Sequence, residues 1–237
     1  MRKLIISLLY FVFLSCATDS DGLLLPDKVS PDIYKVLFQN ESVKVLEVTF
    51  EPGESDNMHD HYPMTAYVQT GGKIEITLPE GTSSERTIPS GIAIHNSSKD
   101  RHQVKNVGDT QIKIYLVERL VTHETYRLDL ELPELVSPNV YKVLLDNEEV
   151  KVLEVVFEPG EGDLMHEHGV ITYFALNGGN MKNTLFDGTE NEMKIPDNFA
   201  GHGNKVVKHK MQNIDDSSVK LILVEHKNLK LEGKDNI

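Results

Sequence analysis

Histidine is the residue type in this sequence whose spacing most clearly predicts chemistry. Eight of the ten histidines form two sets of four, and each member of the first set recurs 107 residues later in the second. The sets are His59, His61, His95 and His102, and then His166, His168, His202 and His209. Neutral imidazole is a common ligand of divalent transition metals. The repeated pattern therefore predicts metal binding, with one site for each set.

Each set begins with a His-x-His pair, within MHDHYPMTAYVQTGG (58–72) and MHEHGVITYFALNGG (165–179). Residues i and i+2 of a strand point to the same side, so both imidazoles of a pair face one way. A third histidine from another strand would complete a site that leaves coordination positions open. The spacing alone does not decide which downstream histidine of each set is this third ligand. The alternative is that each pair consists of surface or packing histidines.

The fourth histidine of each set, His95 or His202, has several interpretations. If residues 91–96 and 101–106 form a hairpin, His95 faces the same side as His102. It could then be a ligand, a partner that orients a ligand, a substrate contact or a packed imidazole. Orientation of a ligand histidine is the functional role that we expect.

Other polar residues near the histidines are weaker candidates. Thr65 and Thr172 could bond a substrate oxygen or a metal-bound water, although packing is the usual role of a β-branched residue on a strand. Tyr34 has an aromatic counterpart in the second copy, and both residues are expected to pack in the core. His123 and His226 belong to neither set and are expected to be solvated.

A tandem repeat provides the elements that must position these histidines. VSPDIYKVLFQNESVKVLEVTFEPGE (29–54) aligns without a gap with VSPNVYKVLLDNEEVKVLEVVFEPGE (136–161). The repeat predicts domains at 26–120 and 133–227, with a linker at 121–132 and a tail at 228–237. Alternating segments such as VKVLEVTF and KIEITL, with frequent Gly, Pro, Asn and Asp between them, are typical of short strands. The fold class is therefore all-β, with a sandwich or barrel formed twice.

These residues resemble the two motifs of the cupin superfamily. The first motif is matched by Gly53, His59, His61 and Gly72, and again by Gly160, His166, His168 and Gly179. The second is matched by Gly91, His102 and Asn106, and in part by His209 and Asn213. The resemblance implies a bicupin of two tandem double-stranded β-helix barrels, each with six to eight strands. The glutamate of the family's first motif is absent, and Thr65 and Thr172 occupy its positions.

The resemblance implies the ligand sets His59, His61 and His102, and His166, His168 and His209. The loss of the glutamate leaves these three histidines in each unit, which is similar to the iron site of several cupin dioxygenases. The resemblance implies an Fe(II)-dependent dioxygenase acting on a small acidic or dicarbonyl substrate. The alternative is a cupin that uses zinc, manganese or nickel without redox chemistry, as an isomerase, a lyase or a small-ligand-binding protein. A purely structural cupin with vestigial sites is a third interpretation.

Composition restricts the partners of the chain. Its 24 basic and 37 acidic residues give a formal net charge of −13, and no basic cluster is present, so a nucleic-acid partner is not expected. A small-molecule substrate is expected instead, and the sequence does not define the oligomeric state. Cys16 is the only cysteine, which excludes thiol catalysis and cysteine-ligated zinc in the mature domains.

The N-terminus MRKLIISLLYFVFLSCATDSD is typical of a secretory signal, with a basic start, an apolar run and small residues at its end. Cleavage could follow Ala17, or precede Cys16 with lipid attached to its sulfur, since FLSC resembles a bacterial lipobox. We favour the second route, with a signal peptide at 1–16. The expected location is the bacterial cell envelope, with membrane contact only through the lipid, and secretion is the alternative.

Overall fold

The computed structural model of the chain describes residues 22–123 and 128–230. The predicted signal peptide 1–16 and its Cys16 lie outside these residues, as do parts of the predicted linker and tail. No helix within the described ranges is long and apolar enough to cross a membrane. Export and the lipid anchor therefore stay predictions.

Strands form nearly all of the regular structure, which confirms the all-β prediction. The first repeat comprises α1 (Pro26–Val29), β1 (Tyr34–Gln39), β2 (Val43–Phe50), β3 (His59–His61), β4 (Met64–Thr70), β5 (Gly72–Thr77), β6 (Ser83–Ile88), β7 (Ile92–Asn96), β8 (Asp100–Asn106) and β9 (Ile112–Arg119). The second comprises α2 (Pro133–Val136), β10 (Tyr141–Asp146), β11 (Val150–Phe157), β12 (His166–His168), β13 (Val170–Asn177), β14 (Gly179–Leu185), β15 (Glu190–Ile195), β16 (Ala200–Gly203), β17 (Val207–Asn213) and β18 (Val219–His226). The described part of each repeat has nine strands rather than six to eight, because the His-x-His pair occupies a short strand of its own.

Each repeat consists of one five-stranded and one four-stranded sheet. The strand orders are β1-β2-β9-β4-β7 and β3-β8-β5-β6 in the first repeat, and β10-β11-β18-β13-β16 and β12-β17-β14-β15 in the second. Apolar side chains from both sheets of a repeat, such as Leu46 and Ile74 in the first, pack into one core between them. The result is two tandem β-barrels with the same topology.

The alternation along β9 shows how a strand of the larger sheet serves both barrels. Ile112 and Leu116 point into the core of the first barrel. Tyr115 and Val117 point the other way and pack against the second barrel. Because side chains on a strand alternate, Glu118 continues the inward series toward the histidines.

The two barrels pack together through their five-stranded sheets. This inter-barrel face includes Val45, Tyr67, Tyr115 and Val117 from the first repeat and Val152, Phe174, Ile222 and Val224 from the second. Tyr115 stacks on Phe174 with ring centroids 4.7 Å apart. At the edge of this face, the buried Arg119 donates to Asn228 at 2.9 Å and pairs with Glu149 at 2.7 Å.

The predicted hairpin between residues 91–96 and 101–106 is wrong. β7 pairs with β4, while β8 pairs with β3 and β5 in the other sheet. The short segment between β7 and β8 crosses from one sheet to the other instead of turning back within one sheet. As a result, His95 lies opposite Thr65, and His102 lies opposite His59.

The glycine pairs that close the two histidine stretches are required by close backbone contact. A Cβ atom on Gly71 would overlap the carbonyl oxygen of Ile88, and one on Gly178 would overlap that of Ile195. Backbone cannot move away as easily as a flexible side chain. We expect Gly71→Ala to lower the free energy of unfolding by about 3 kcal/mol, measured by urea denaturation.

Gly203→Ala is the matched control for this substitution. Its added Cβ would lie 3.6 Å from Cγ1 of Ile171, which is an ordinary van der Waals contact. Equal unfolding free energies for the Gly71 and Gly203 variants would contradict the proposed overlap.

Candidate metal centres

The structure brings the three predicted ligands of the first repeat together inside the barrel. β3 presents His59 and His61, and β8 presents His102 as the cross-strand partner of His59. The Nε2 atoms of His59 and His61 are 2.9 Å apart, and each of the three residues offers a nitrogen within 4.8 Å of the others. Both residues of the pair are buried.

The second repeat reproduces this arrangement with β12 and β17. The Nε2 atoms of His166 and His168 are 3.0 Å apart, and His209 lies directly opposite His166. The ring centroids of His166 and His209 are 4.7 Å apart. All six histidines predicted as ligands therefore lie in two separate triads.

Contacts to the Nδ1 atoms show which ring nitrogens face the centre of the first triad. His59 Nδ1 lies 2.8 Å from the carbonyl oxygen of Asn57, and His61 Nδ1 lies 2.7 Å from Oε1 of Glu118. His102 Nδ1 lies 3.5 Å from Oδ2 of Asp100. The acceptors at His59 and His61 hold a proton on Nδ1, so the Nε2 lone pairs of this pair point toward each other.

The second triad has the same type of outer contacts. His166 Nδ1 lies 2.8 Å from the carbonyl oxygen of Leu164, and His168 Nδ1 lies 2.8 Å from Glu225. His209 Nδ1 lies 3.1 Å from Oδ1 of Asn183. Outer-sphere acceptors of this kind are typical of histidines that bind metals.

The distances within each pair fit a metal ion. Two Nε2 lone pairs at 2.9 Å repel each other unless a cation lies between them. Ligands about 2.1 Å from a metal and at right angles are separated by about 3 Å. The triads therefore fit a divalent cation held by three imidazoles.

Glu118 belongs to a buried chain of charges behind the first triad. Its Oε1 contacts His61, and its Oε2 lies 3.6 Å from Nζ of Lys44. Lys44 is itself buried and donates to Asp27 of α1 at 2.9 Å. Lys151, Glu134 and Glu225 repeat this chain behind the second triad.

The two glutamates were missed as functional residues by sequence reasoning. A signal was present, because each ends an LVE sequence, at 116–118 and 223–225, that the repeat retains. The sequence could not show that a residue 57 positions away reaches His61. The role that we expected of His95 and His202 is thus filled by Glu118 and Glu225.

His95 and His202 lie instead on the side of the sheets that faces the other barrel. His95 Nδ1 is 3.0 Å from Oγ1 of Thr65, and its Nε2 is 3.2 Å from Glu149 of the second repeat. Among the described contacts, neither histidine touches a triad residue. Thr65 pairs with Val117 of the inter-barrel face, so its hydroxyl also points away from the metal centre.

The corresponding threonine of the second repeat, Thr172, contacts two histidines. Its Oγ1 lies 3.0 Å from His202 Nδ1 and 2.9 Å from His226 Nε2. The expectation that His226 is solvated is wrong, because this residue is buried. His123 is exposed, as expected.

A tyrosine in each barrel reaches the metal centre in addition to packing in the core. The Tyr34 hydroxyl donates to Oδ2 of Asp56 at 2.7 Å and lies 3.3 Å from Nε2 of His59. Tyr141, Asp163 and His166 repeat these contacts at the same distances. Each centre thus contains a hydroxyl group beside the metal-facing nitrogens.

Burial sets the protonation of these groups. Desolvation, with a contribution from His61, lowers the pKa of His59 to about 3. Desolvation also lowers the pKa of His166 to about 4 and that of His209 to about 3. It raises the pKa values of Asp56 and Asp163 to about 6. The imidazoles of His59, His166 and His209 are therefore neutral at physiological pH, as metal binding requires.

We expect the metal-free protein to lose stability as the pH falls from about 6.5 to about 4. Unfolded histidines take up protons near pH 6.5, whereas His59, His166 and His209 in the folded chain do so only near 3 to 4. Asp56 and Asp163 oppose this loss, because their raised pKa values add stability as the pH falls from about 6 to about 4. The three histidine shifts are larger, so the net change is a loss.

Urea denaturation of EDTA-treated protein at several pH values measures this dependence. Replacing the three histidines by phenylalanine should reduce the decline, and the lowered pKa values of His95, His202 and His226 should maintain the remainder. A free energy of unfolding that rises toward pH 5 in the unsubstituted protein would contradict the expectation.

A cavity of about 700 Å³ lies beside the second barrel, next to the segment that joins the repeats. Leu128, Leu130, Leu132, Glu225 and His226 are among the residues that line it. The cavity thus extends to the glutamate that contacts His168, while the triad itself does not line it.

No protein-family model and no curated protein sequence matches the chain. Solved structures do match. AerE from Microcystis aeruginosa has a TM-score of 0.55 at 13% identity, over 84% of this chain and 98% of that one. Oxalate decarboxylase from Bacillus subtilis, a protein with Mn(II) centres, has a TM-score of 0.57 at 14% identity, over 80% of this chain and 70% of that one.

The chain has a bicupin fold. At 13–14% identity the likeness establishes the architecture of this bicupin, and its chemistry must be argued from its own residues. The two triads indicate that it binds divalent metal.

Proposed function

We propose that this bicupin is an Fe(II)-dependent dioxygenase that acts on a small acidic or dicarbonyl substrate. The observation that carries the proposal is the paired three-histidine centre, which no carboxylate among the described residues joins as a fourth candidate ligand. Three neutral imidazoles occupy three positions and leave the others for the substrate and O2.

In the first barrel, His59, His61 and His102 would hold the metal. When bound, Fe(II) supplies Lewis acidity and one-electron chemistry toward O2. Because the three imidazoles contribute no charge, the centre keeps a positive charge that attracts an anionic substrate oxygen. The corresponding residues of the second barrel are His166, His168 and His209.

Residues around the triad would orient the reacting groups. Glu118 and the Asn57 carbonyl fix the two imidazoles of the pair through their Nδ1 atoms. The Tyr34 hydroxyl, held by Asp56, places a hydrogen-bonding group beside a substrate oxygen at the metal. Burial of β3 excludes water from this side of the centre.

A second candidate is metal-dependent chemistry without oxidation, with manganese, zinc or nickel. The pair formed by Tyr34 and Asp56 favours it, because the pKa of Asp56 is raised by burial to about 6. A carboxyl with that pKa can hold or release a proton near neutral pH, as an isomerase or lyase requires.

The test begins with metal-free protein that is loaded anaerobically with Fe(II), Mn(II) or Zn(II). Oxygen uptake and product formation are then followed with oxalate, 2,4-pentanedione and related small acids. We expect oxygen uptake only with Fe(II), and none in a variant that combines His59→Ala with His166→Ala. Turnover with Mn(II) or Zn(II) without oxygen uptake would support the second candidate, and no turnover with any metal would contradict both.

A further inference from the structure

The two metal centres differ at two positions close to the third histidine. In the first barrel, Asp100 is the cross-strand partner of His61 and therefore lies on the side of the strands that faces the triad. In the second barrel, the partner of His168 is Val207. The second difference is on the neighbouring strand, where Asn183 replaces Ile76.

Because of these two differences, a different chemical group contacts the third histidine in each barrel. In the first barrel, Oδ2 of Asp100 lies 3.5 Å from His102 Nδ1 and accepts a hydrogen bond from Asn96 at 3.0 Å. In the second, the amide oxygen of Asn183 takes that place, at 3.1 Å from His209 Nδ1. A carboxylate thus supports the triad in one barrel and a neutral amide does so in the other.

The second carboxylate oxygen of Asp100 adds to the electrostatic difference between the two centres. Oδ1 is buried and has no hydrogen-bond partner among the described residues, although the Asp100 side chain as a whole is 35% exposed. A buried carboxylate oxygen without a donor has a high free-energy cost that a nearby cation reduces. Val207 has no charge that could act in this way.

Other charged groups near β3 and β12 do not remove the difference. Asp60, on the outward side of β3, is paired with Arg101 at 2.6–2.7 Å. Its counterpart Glu167 accepts from the backbone of Glu131, which pairs with Lys208. Asp60 is thus paired with a base, and Glu167 lies opposite Lys208 on the neighbouring strand.

We propose that the two centres are specialised: the first binds its divalent metal more tightly, and the second binds the anionic substrate. This inference rests on the proposed function, because it requires both triads to bind metal. Glu118, Asp56 and Asp100 place three carboxylates around the first triad, whereas Glu225 and Asp163 place two around the second. The additional negative charge attracts a cation and repels an anion that approaches the metal.

The experiment uses full-length chains with one centre each. One variant combines His166→Ala with His209→Ala and keeps the first centre, and the other combines His59→Ala with His102→Ala and keeps the second. Mn(II) affinity is measured by chelator competition, and oxalate binding to the Mn(II)-loaded chains is measured by calorimetry. We expect the first centre to bind Mn(II) about 10–100-fold more tightly. The second centre should bind oxalate at least about 10-fold more tightly.

Reciprocal substitutions assign the difference to the two residues. Asp100→Val in the first single-centre chain should weaken Mn(II) binding and strengthen oxalate binding. Val207→Asp in the second should do the reverse. Glu85→Val, which removes an exposed carboxylate that pairs with Lys73, is the matched control and should change neither affinity. Asp100→Asn provides the same test with less change in shape, in case the valine variant does not fold.

The outcomes distinguish this inference from the function on which it rests. Equal Mn(II) and oxalate affinities at the two centres would overturn the specialisation and leave metal binding intact. Affinities that differ but do not respond to the reciprocal substitutions would overturn the assignment to Asp100 and Val207. A chain in which neither centre binds Mn(II) would overturn both the inference and the proposed function.

Discussion

Replacing His59 by alanine is expected to lower the metal content of the chain from two divalent ions to one. The reason is that each triad is built entirely from one repeat, so the loss of a ligand empties one centre and leaves the other complete. His166→Ala should have the same effect on the second centre. Elemental analysis of metal-replete protein measures the stoichiometry, and the combination of both substitutions should reduce it to zero.

Two further substitutions complete this test. His102→Ala examines the ligand that comes from β8 rather than from the His-x-His pair, and it should also leave one ion. His123→Ala removes an exposed histidine and should leave two ions. An unchanged stoichiometry and affinity in the His102 variant would show that the third histidine is not a ligand.

Removal of the Glu118 carboxylate should have the largest effect on stability. Glu118→Ala leaves the buried Lys44 with Asp27 alone and leaves His61 Nδ1 without its acceptor. Loss of one partner from a buried charge network costs about 3–5 kcal/mol. Loss of the outer contact should also weaken metal binding at the first centre by about 10–100-fold. Urea denaturation and chelator competition measure the two effects.

The matched control for Glu118→Ala is Glu85→Ala. Glu85 also forms an ion pair, with Lys73, but both side chains are about half exposed, so the expected loss of stability is small. Glu118→Gln keeps a hydrogen-bond acceptor for His61 and should retain more metal affinity than the alanine variant. If Glu118→Ala were no more destabilising than Glu85→Ala, the buried charges would not be energetically coupled.

The ligands were predictable because their geometry is local or repeated. The His-x-His spacing alone places His59 and His61 on one side of a strand, and the resemblance to the second cupin motif identified His102 as the third member. The partners of these histidines were not predictable in the same way. Glu118 reaches His61 only because β9 and β3 belong to the same barrel, and no local pattern encodes the pairing of strands so far apart in the chain.

The error over His95 has a related cause. A three-residue connection between two strands fits a hairpin, and it also fits a crossing between two sheets. Which of the two forms depends on the strands with which β7 and β8 pair, and β7 pairs with β4. The hydroxyl of Tyr34 was missed for a different reason, since a tyrosine that packs in a core can still direct its polar end into a site.

The inter-barrel face has a consequence for the origin of the chain. Several of its residues are counterparts in the two repeats, such as Val45 and Val152, Tyr67 and Phe174, and Val117 and Val224. A surface that contacts its own copy in this way is the isologous interface of a twofold homodimer. An ancestral single barrel with this face would have paired with itself, and both of its metal centres would have been identical by necessity. Two copies in one chain are free of that constraint, and Asp100 in one centre corresponds to Val207 in the other.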